Sequence, residues 1–101
     1  MEDPIFIFKN LLALADTYGI RLKLQNFQSY DSVLKVNHIG IRNQQTFEKV
    51  VYETAYELAH YLLHQNKGNT LISPNKEMYN LKAEQAADVM VRVLDVKAKS
   101  A

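Results

Sequence analysis

The residues with the clearest chemical potential lie in one stretch with helical patterning, from Glu53 to His64. In a HExxH zinc-protease helix, two histidines four residues apart bind the metal, and the glutamate after the first histidine is the general base. Glu57 and His60 occupy the places of that glutamate and of the second histidine, but Tyr56 stands where the first histidine belongs. The stretch therefore predicts a protease-type helix that lacks one metal ligand.

The polar side of this helix forms a continuous column. Tyr56, His60 and His64 follow one another at i,i+4 spacing, so their side chains project from one face. Glu53 and Glu57 share that side, and we predict that these five residues line a binding cleft. Two histidines without a third protein ligand bind zinc weakly, because catalytic zinc sites use three protein ligands and a water. A polar helix face is also commonly just a solvated surface.

Composition limits the classes of protein to consider. The 101 residues fit one small domain, residues 1–101, and 48% of them are hydrophobic. A net charge of +1 gives no electrostatic reason to expect direct binding to nucleic acid or to a membrane. Cysteine is absent, and no apolar run reaches signal or membrane-span length, so we expect a cytoplasmic protein. Four cations are interpreted as separate charges rather than as a basic patch: Lys9, Arg21, Lys23 and Lys35.

The first half of the chain has the pattern of one helix followed by short strands. Asp3 and Pro4 form a helix-start signal, and the helix is predicted over residues 4–18, with Gly19 as its stop. Alternating residues over 20–25 predict a half-buried strand. Two further strands are predicted over 32–36 and 38–41, with a turn or bulge at Asn37.

The second half is predicted to be helical. The motif helix should start between Asn43 and Thr46, reach residue 64 or 65, and exit at Gly68. A short turn at residues 73–74 precedes a third helix, which is predicted from a cap at Asn80 to about Val96. That helix is apolar on most sides, which predicts deep burial and possible packing against a second copy in a homodimer. The chain is predicted to be α+β: an N-terminal helix, a two- or three-stranded antiparallel sheet, the motif helix and a C-terminal helix.

Several segments resemble the ImmA/IrrE family of bacterial, phage and mobile-element zinc metallopeptidases. Residues 14–20 are similar to that family's helix-then-strand opening. Residues 56–64, YELAHYLLH, are similar to its HELAHxLLH motif. Residues 84–88, EQAAD, are similar to the later helix that supplies the third zinc ligand. The resemblance implies a zincin-like fold.

The resemblance also implies roles for individual residues. The general base carries over to Glu57 and the second zinc histidine to His60, while Tyr56 replaces the first. The third-ligand glutamate aligns with Ala86, and Glu84 lies two positions before it. These replacements leave both Glu57 and His60 as vestiges of a metal site.

Two functions follow from these roles. The leading hypothesis is a catalytically inactive domain that needs no cofactor and binds a protein partner, such as a helix-turn-helix repressor of a mobile element. The alternative is a zinc peptidase that cleaves such a repressor through an unusual ligand set, either Tyr56, His60 and Glu84, or His60 and His64. Zinc is expected only under the alternative.

Overall fold

The computed structural model of the chain describes residues 1–64 and 76–100. Its elements follow one another in the order α1 (Pro4–Thr17), β1 (Arg21–Gln25), β2 (Ser32–Lys35), β3 (His38–Arg42), α2 (Phe47–His64) and α3 (Lys76–Ser100). The predicted α+β class and order of elements are confirmed. The predicted exit at Gly68 and the turn at residues 73–74 lie outside the described residues. Within the described ranges, no helix is both long enough and apolar enough to cross a membrane.

Helices α1 and α2 begin where their capping residues predict. The Asp3 carboxylate accepts a hydrogen bond from the backbone N–H of Phe6 at 3.0 Å. The Thr46 hydroxyl accepts one from the backbone N–H of Lys49 at 3.3 Å. Such side-chain acceptors satisfy donors that the first turn of a helix leaves unpaired. Gly19 follows α1 with a φ of 68°, as a left-handed helix stop requires.

The sheet is mixed, so the prediction of a purely antiparallel sheet is wrong for β1. The strand order is β1-β3-β2; β1 runs parallel to β3, and β2 runs antiparallel to it. Strand β3 carries Ile39, Gly40 and Ile41, all buried, and burial is greatest in the centre of a sheet. A two-residue turn at Val36 and Asn37 joins β2 to β3. The chain reverses direction between β1 and β2 and again between β2 and β3, so β3 runs parallel to β1.

Helix α2 lies between the sheet and α3. The inner face of the sheet presents Ile39 and Ile41, which are 1% and 0% exposed, to the core. The side of α2 that joins this core carries Val51, Ala55 and Leu58, none of them accessible to solvent. This packing holds the polar column of α2 against α3 and the start of β2.

Helix α3 differs from its prediction in two ways. It begins at Lys76 and ends at Ser100, so Asn80 lies inside the helix instead of capping it. Only Ala83 and Ala87 are fully buried along its described length, whereas the sequence predicts burial on most sides. The two alanines allow close approach to α2, and Met90, Val91 and Leu94 are partly buried against the core. Other apolar residues of α3 lie on its outer surface. Leu81, Val89, Val93 and Val96 are 54%, 57%, 49% and 62% exposed.

Candidate functional site

A polar cleft opens where α2, α3 and the start of β2 meet. Its volume is about 260 Å³. Its lining combines carboxyl, hydroxyl and phenol groups and comes from Asp31, Ser32, Tyr52, Glu53, Tyr56 and Glu84. Of the residues predicted to line a cleft, Glu53 and Tyr56 therefore do so, and the structure adds Glu84 from α3.

The column on α2 runs antiparallel to a row of polar residues on α3. Contacts and charge interactions join residues of the two helices in reverse order: Tyr52 with Asp88, Tyr56 with Glu84, His60 with Asn80, and His64 with Tyr79. The first two steps of one turn forward on α2 each correspond to one turn backward on α3, as expected for an antiparallel helix pair, and the last step moves back by a single residue to Tyr79. The cleft is therefore the open end of a longer polar and aromatic seam.

The two histidines lie in the closed part of this seam. His60 and His64 are only 6% and 7% exposed. The Tyr56 ring packs edge-on against the His60 ring at a centroid distance of 4.8 Å, and the His60 and His64 rings are 5.5 Å apart. The Tyr79 ring lies 4.6 Å from that of His64. The histidines are thus packed against aromatic neighbours instead of facing the cleft.

Burial favours the neutral form of His60. It lowers the pKa of this imidazole, and the nearby His64 lowers it further, while a hydrogen bond with Asn80 partly offsets both effects. Among the described residues, neither Nδ1 of His60 nor Nε2 of His64 has a hydrogen-bond partner. A neutral His60 imidazole in this packed column can serve as a polar core group without a charge to solvate.

The carboxyl groups of Glu53 and Glu57 have raised pKa values. The pKa of Glu57 is raised to about 7, chiefly by burial; the Ser32 hydroxyl opposes the rise, and the neighbouring Glu53 adds to it. Burial also raises the pKa of Glu53, although the Ser32 hydroxyl donates to Glu53 Oε2 at 2.8 Å. Glu57 is 5% exposed, so its carboxyl is far less accessible than a surface glutamate.

The charge of Asp31 at the rim of the cleft is balanced by two cations. Its carboxylate lies 2.8 Å from Arg42 Nη2 and 2.9 Å from Lys49 Nζ. Hydrogen bonds from Lys49 and Arg42 lower the pKa of Asp31. In the described part of the chain, Glu53 and Glu84 form no ion pair, so the cleft has an excess of negative charge.

The residues present do not fit a catalytic zinc ion. Tyr56 places a phenol where the first imidazole would be, and its ring packs against His60. Burial and the nearby Glu57 raise the pKa of Tyr56, which disfavours the phenolate that would ligate a metal. Over residues 1–64 and 76–100, no three histidine or carboxylate side chains are close enough to hold an ion together.

The sequence offers two residues, Ala86 and Glu84, for the position of the third zinc ligand. Glu84 lines the cleft beside Tyr56. Ala86 is half-buried and is not part of the cleft lining. On α3, the side chain that faces the motif residues is therefore that of Glu84.

Sequence reasoning missed three cleft residues. Tyr52 lies one turn before Tyr56, so extending the i,i+4 column backwards by one step predicts it. Asp31 and Ser32 come from the start of β2, more than twenty residues from the motif centre, and no local pattern links them to it.

Comparisons of the chain with protein-family models, with curated proteins and with solved structures find no match. Membership of the ImmA/IrrE family accordingly stays a prediction that rests on the segments 14–20, 56–64 and 84–88.

Proposed function

We propose that this chain is a catalytically inactive ImmA/IrrE-like domain that binds a protein partner through the cleft between α2, α3 and β2. Its cleft holds the partner by shape and hydrogen bonds, without cutting it. The partner is a regulator of a phage or mobile element, such as a helix-turn-helix repressor, and the complex forms in the cytoplasm.

The observation that carries this proposal is the position of Tyr56. This residue replaces the first imidazole of the motif and packs edge-on against His60, which matches the second zinc histidine. Loss of one of three protein ligands removes the open tetrahedral site that activates water in zinc peptidases. A residual Glu57 then has no metal-bound water to deprotonate.

The side chains that line the cleft indicate which type of partner side chain would bind there. Glu53 and Glu84 contribute carboxyls without ion-pair partners in the described chain, and Tyr52 and Tyr56 contribute phenols. Carboxylates favour arginine or lysine, and tyrosine faces favour the same cations. We infer that a basic side chain of the partner enters this cleft.

A zinc peptidase with an unusual ligand set is the second candidate. It is favoured by one observation, the location of Glu84 beside Tyr56 in the cleft. It requires Tyr56 to bind as phenolate next to the buried Glu57, and the raised pKa of Tyr56 opposes that ionisation.

Binding and cutting can be separated with a helix-turn-helix repressor from the same mobile element. The proposal predicts an intact complex in calorimetry, with the repressor mass unchanged after incubation with added zinc. Glu84→Lys should weaken the complex by roughly tenfold, about 1.4 kcal/mol, because it reverses charge in the cleft. Glu77→Lys, an exposed change outside the cleft on the same helix, is the matched control. If the unaltered chain produces repressor fragments and the Glu57→Gln variant does not, the chain is instead a peptidase.

A further inference from the structure

The outer face of the sheet, opposite the helices, collects positive charge that is dispersed in the sequence. Arg21 and Lys23 lie on β1, and Lys35 and His38 lie on β2 and β3. These four side chains are exposed and line one groove of about 640 Å³. The lining given by the described residues contains no aspartate or glutamate. The interpretation of Arg21, Lys23 and Lys35 as separate charges is therefore wrong, because strand pairing brings them together.

The strand register places three of these groups in one row. His38 pairs directly with Arg21 on one side and with Lys35 on the other. Directly paired residues project from the same face, and neighbouring strands are about 4.8 Å apart. Arg21 and Lys35 therefore flank His38 at about two strand spacings from each other, and their like charges repel. A bound anion would relieve that repulsion, whereas water and salt do so only in part.

The floor of the groove is apolar. Gly40 pairs with Lys23 and with Val33, so these residues form the adjacent row on the same face. Phe27 lies over Gly40, where a Cβ atom would come within 2.6 Å of its Cζ. Val33 and Phe27 both line the groove. The face therefore combines an apolar floor with a rim of cations.

We propose that this face binds an acidic segment of a protein partner, with carboxylates paired to Arg21 and Lys35 and an apolar side chain placed against Phe27 and Val33. Charge complementarity sets the sign of the occupant, and the guanidinium of Arg21 can bind a carboxylate through two parallel hydrogen bonds. A nucleic acid draws its affinity mainly from phosphate contacts along an extended basic surface, whereas here only Arg21, Lys23 and Lys35 surround a small apolar floor. The net charge of the whole chain, +1, provides no such extended field. This surface is separate from the acidic cleft, so the inference does not depend on the function proposed for that cleft.

The test is an NMR titration of the ¹⁵N-labelled chain with three probes. The first is a short peptide in which glutamates alternate with leucine and phenylalanine. The second has glutamine in place of every glutamate, and the third is a short oligothymidine. We expect the acidic peptide to shift the amide signals of Arg21, Lys23, Lys35 and His38, and the other two probes to bind at least tenfold more weakly.

Charge-changing variants test whether the acidic peptide binds at this face of the sheet. Arg21→Glu with Lys35→Glu should weaken acidic-peptide binding by at least tenfold, and the milder Arg21→Gln with Lys35→Gln should weaken it in the same direction if the first pair disturbs folding. Lys9→Glu with Lys82→Glu makes the same change of charge at exposed positions on α1 and α3, and should leave binding unchanged.

Three results would overturn the inference. Equal binding of the glutamine peptide would remove the role of charge. Tighter binding of oligothymidine to the same amides would make the face a nucleic-acid surface. If the acidic peptide shifts none of the amide signals of this face, then an acidic segment does not bind there.

Discussion

Glu57 is an acidic residue buried in a helix seam, and its ionisation should make stability depend on pH. Its folded pKa of about 7 lies above the ordinary value of 4.5. Between these two values the unfolded carboxyl is ionised while the folded one keeps its proton, so the folded state is favoured by protonation. The stabilisation is fully present below pH 4.5 and is lost as pH rises through about 7.

Glu57→Gln should therefore stabilise the protein at alkaline pH. Each unit of pKa shift corresponds to ~1.4 kcal/mol, so we expect the free energy of unfolding at pH 8 to rise by about 2–3 kcal/mol. At pH 4 the change should be small, because both states of the original carboxyl are largely protonated. Urea denaturation at the two pH values measures it, with exposed Glu48→Gln on the same helix as the control. A pH dependence that Glu57→Gln leaves intact would contradict the assignment to Glu57.

Tyr56 can be tested by restoring the missing imidazole. Tyr56→His completes the HExxH pattern with Glu57 and His60, and Glu84 already lines the same cleft. We expect zinc affinity to rise by roughly tenfold or more, about 1.4 kcal/mol, in competition with a chromogenic chelator. Tyr56→Phe is the size-matched control, and Tyr56→His combined with Glu84→Gln should lose the gain. A folded Tyr56→His protein with unchanged zinc affinity would show that the cleft geometry does not suit a metal.

Sequence reasoning at the residue scale worked for groups on one helix and failed for groups brought together by the fold. Spacing of four residues fixed the common face of Tyr56, His60 and His64, because helix geometry is regular. It could not predict that α3 would bury the histidines, since that depends on the close approach allowed by Ala83 and Ala87.

At the scale of elements, the β2–β3 turn contains a strained residue. Val36 has a φ of 56° and is 85% exposed, so its side chain gains little packing energy to offset the cost of the left-handed conformation. That conformation costs an L-residue about 1–2 kcal/mol, and more for a β-branched side chain than for others. Glycine adopts it without steric conflict.

Val36→Gly should consequently raise the free energy of unfolding, by about 0.5–1 kcal/mol after the greater entropy of glycine in the unfolded chain is subtracted. Val36→Ala is the control, because alanine keeps the Cβ atom that makes this conformation unfavourable. Denaturation midpoints measure both. A glycine variant no more stable than the alanine variant would mean that the turn is not strained at Val36.

Gly40 provides a second test of the sheet, on its outer face. Gly40→Ala should destabilise the protein by about 1–3 kcal/mol, since the added methyl group meets the Phe27 ring. Phe27→Ala should largely remove the effect of Gly40→Ala in a double-mutant cycle. Additive effects of the two substitutions in denaturation experiments would contradict this contact.

The sequence predicted the positions of the strands better than their arrangement. Alternation of apolar and polar residues located β1, and short runs of strand-forming residues located β2 and β3, but neither pattern carries information on strand direction. The central position of β3 and its parallel pairing with β1 depend on how whole strands pack, which no local pattern records.

At the scale of the whole molecule, the outer surface of α3 carries several exposed apolar residues. Val89 and Val93 lie one turn apart there, and Val96 continues the exposed stripe. Exposed apolar patches of this kind mark association surfaces.

We therefore expect the chain to form a homodimer through α3 at high concentration. Light scattering over a concentration series should show the mass rising towards twice that of the monomer, and Val89→Glu with Val93→Glu should prevent the rise. Lys82→Glu, an exposed change earlier on the same helix, is the control for added negative charge. A constant monomer mass over the whole series would contradict this expectation.

Zinc binding by the unaltered chain distinguishes an inactive binding domain from a zinc peptidase. The purified protein would be dialysed against zinc, and the retained metal measured by elemental analysis beside a His60→Ala variant. With Tyr56 in place of an imidazole, we predict far less than one retained zinc per chain and no difference between the two proteins. One zinc retained per chain and lost in His60→Ala would contradict the account of an inactive binding domain.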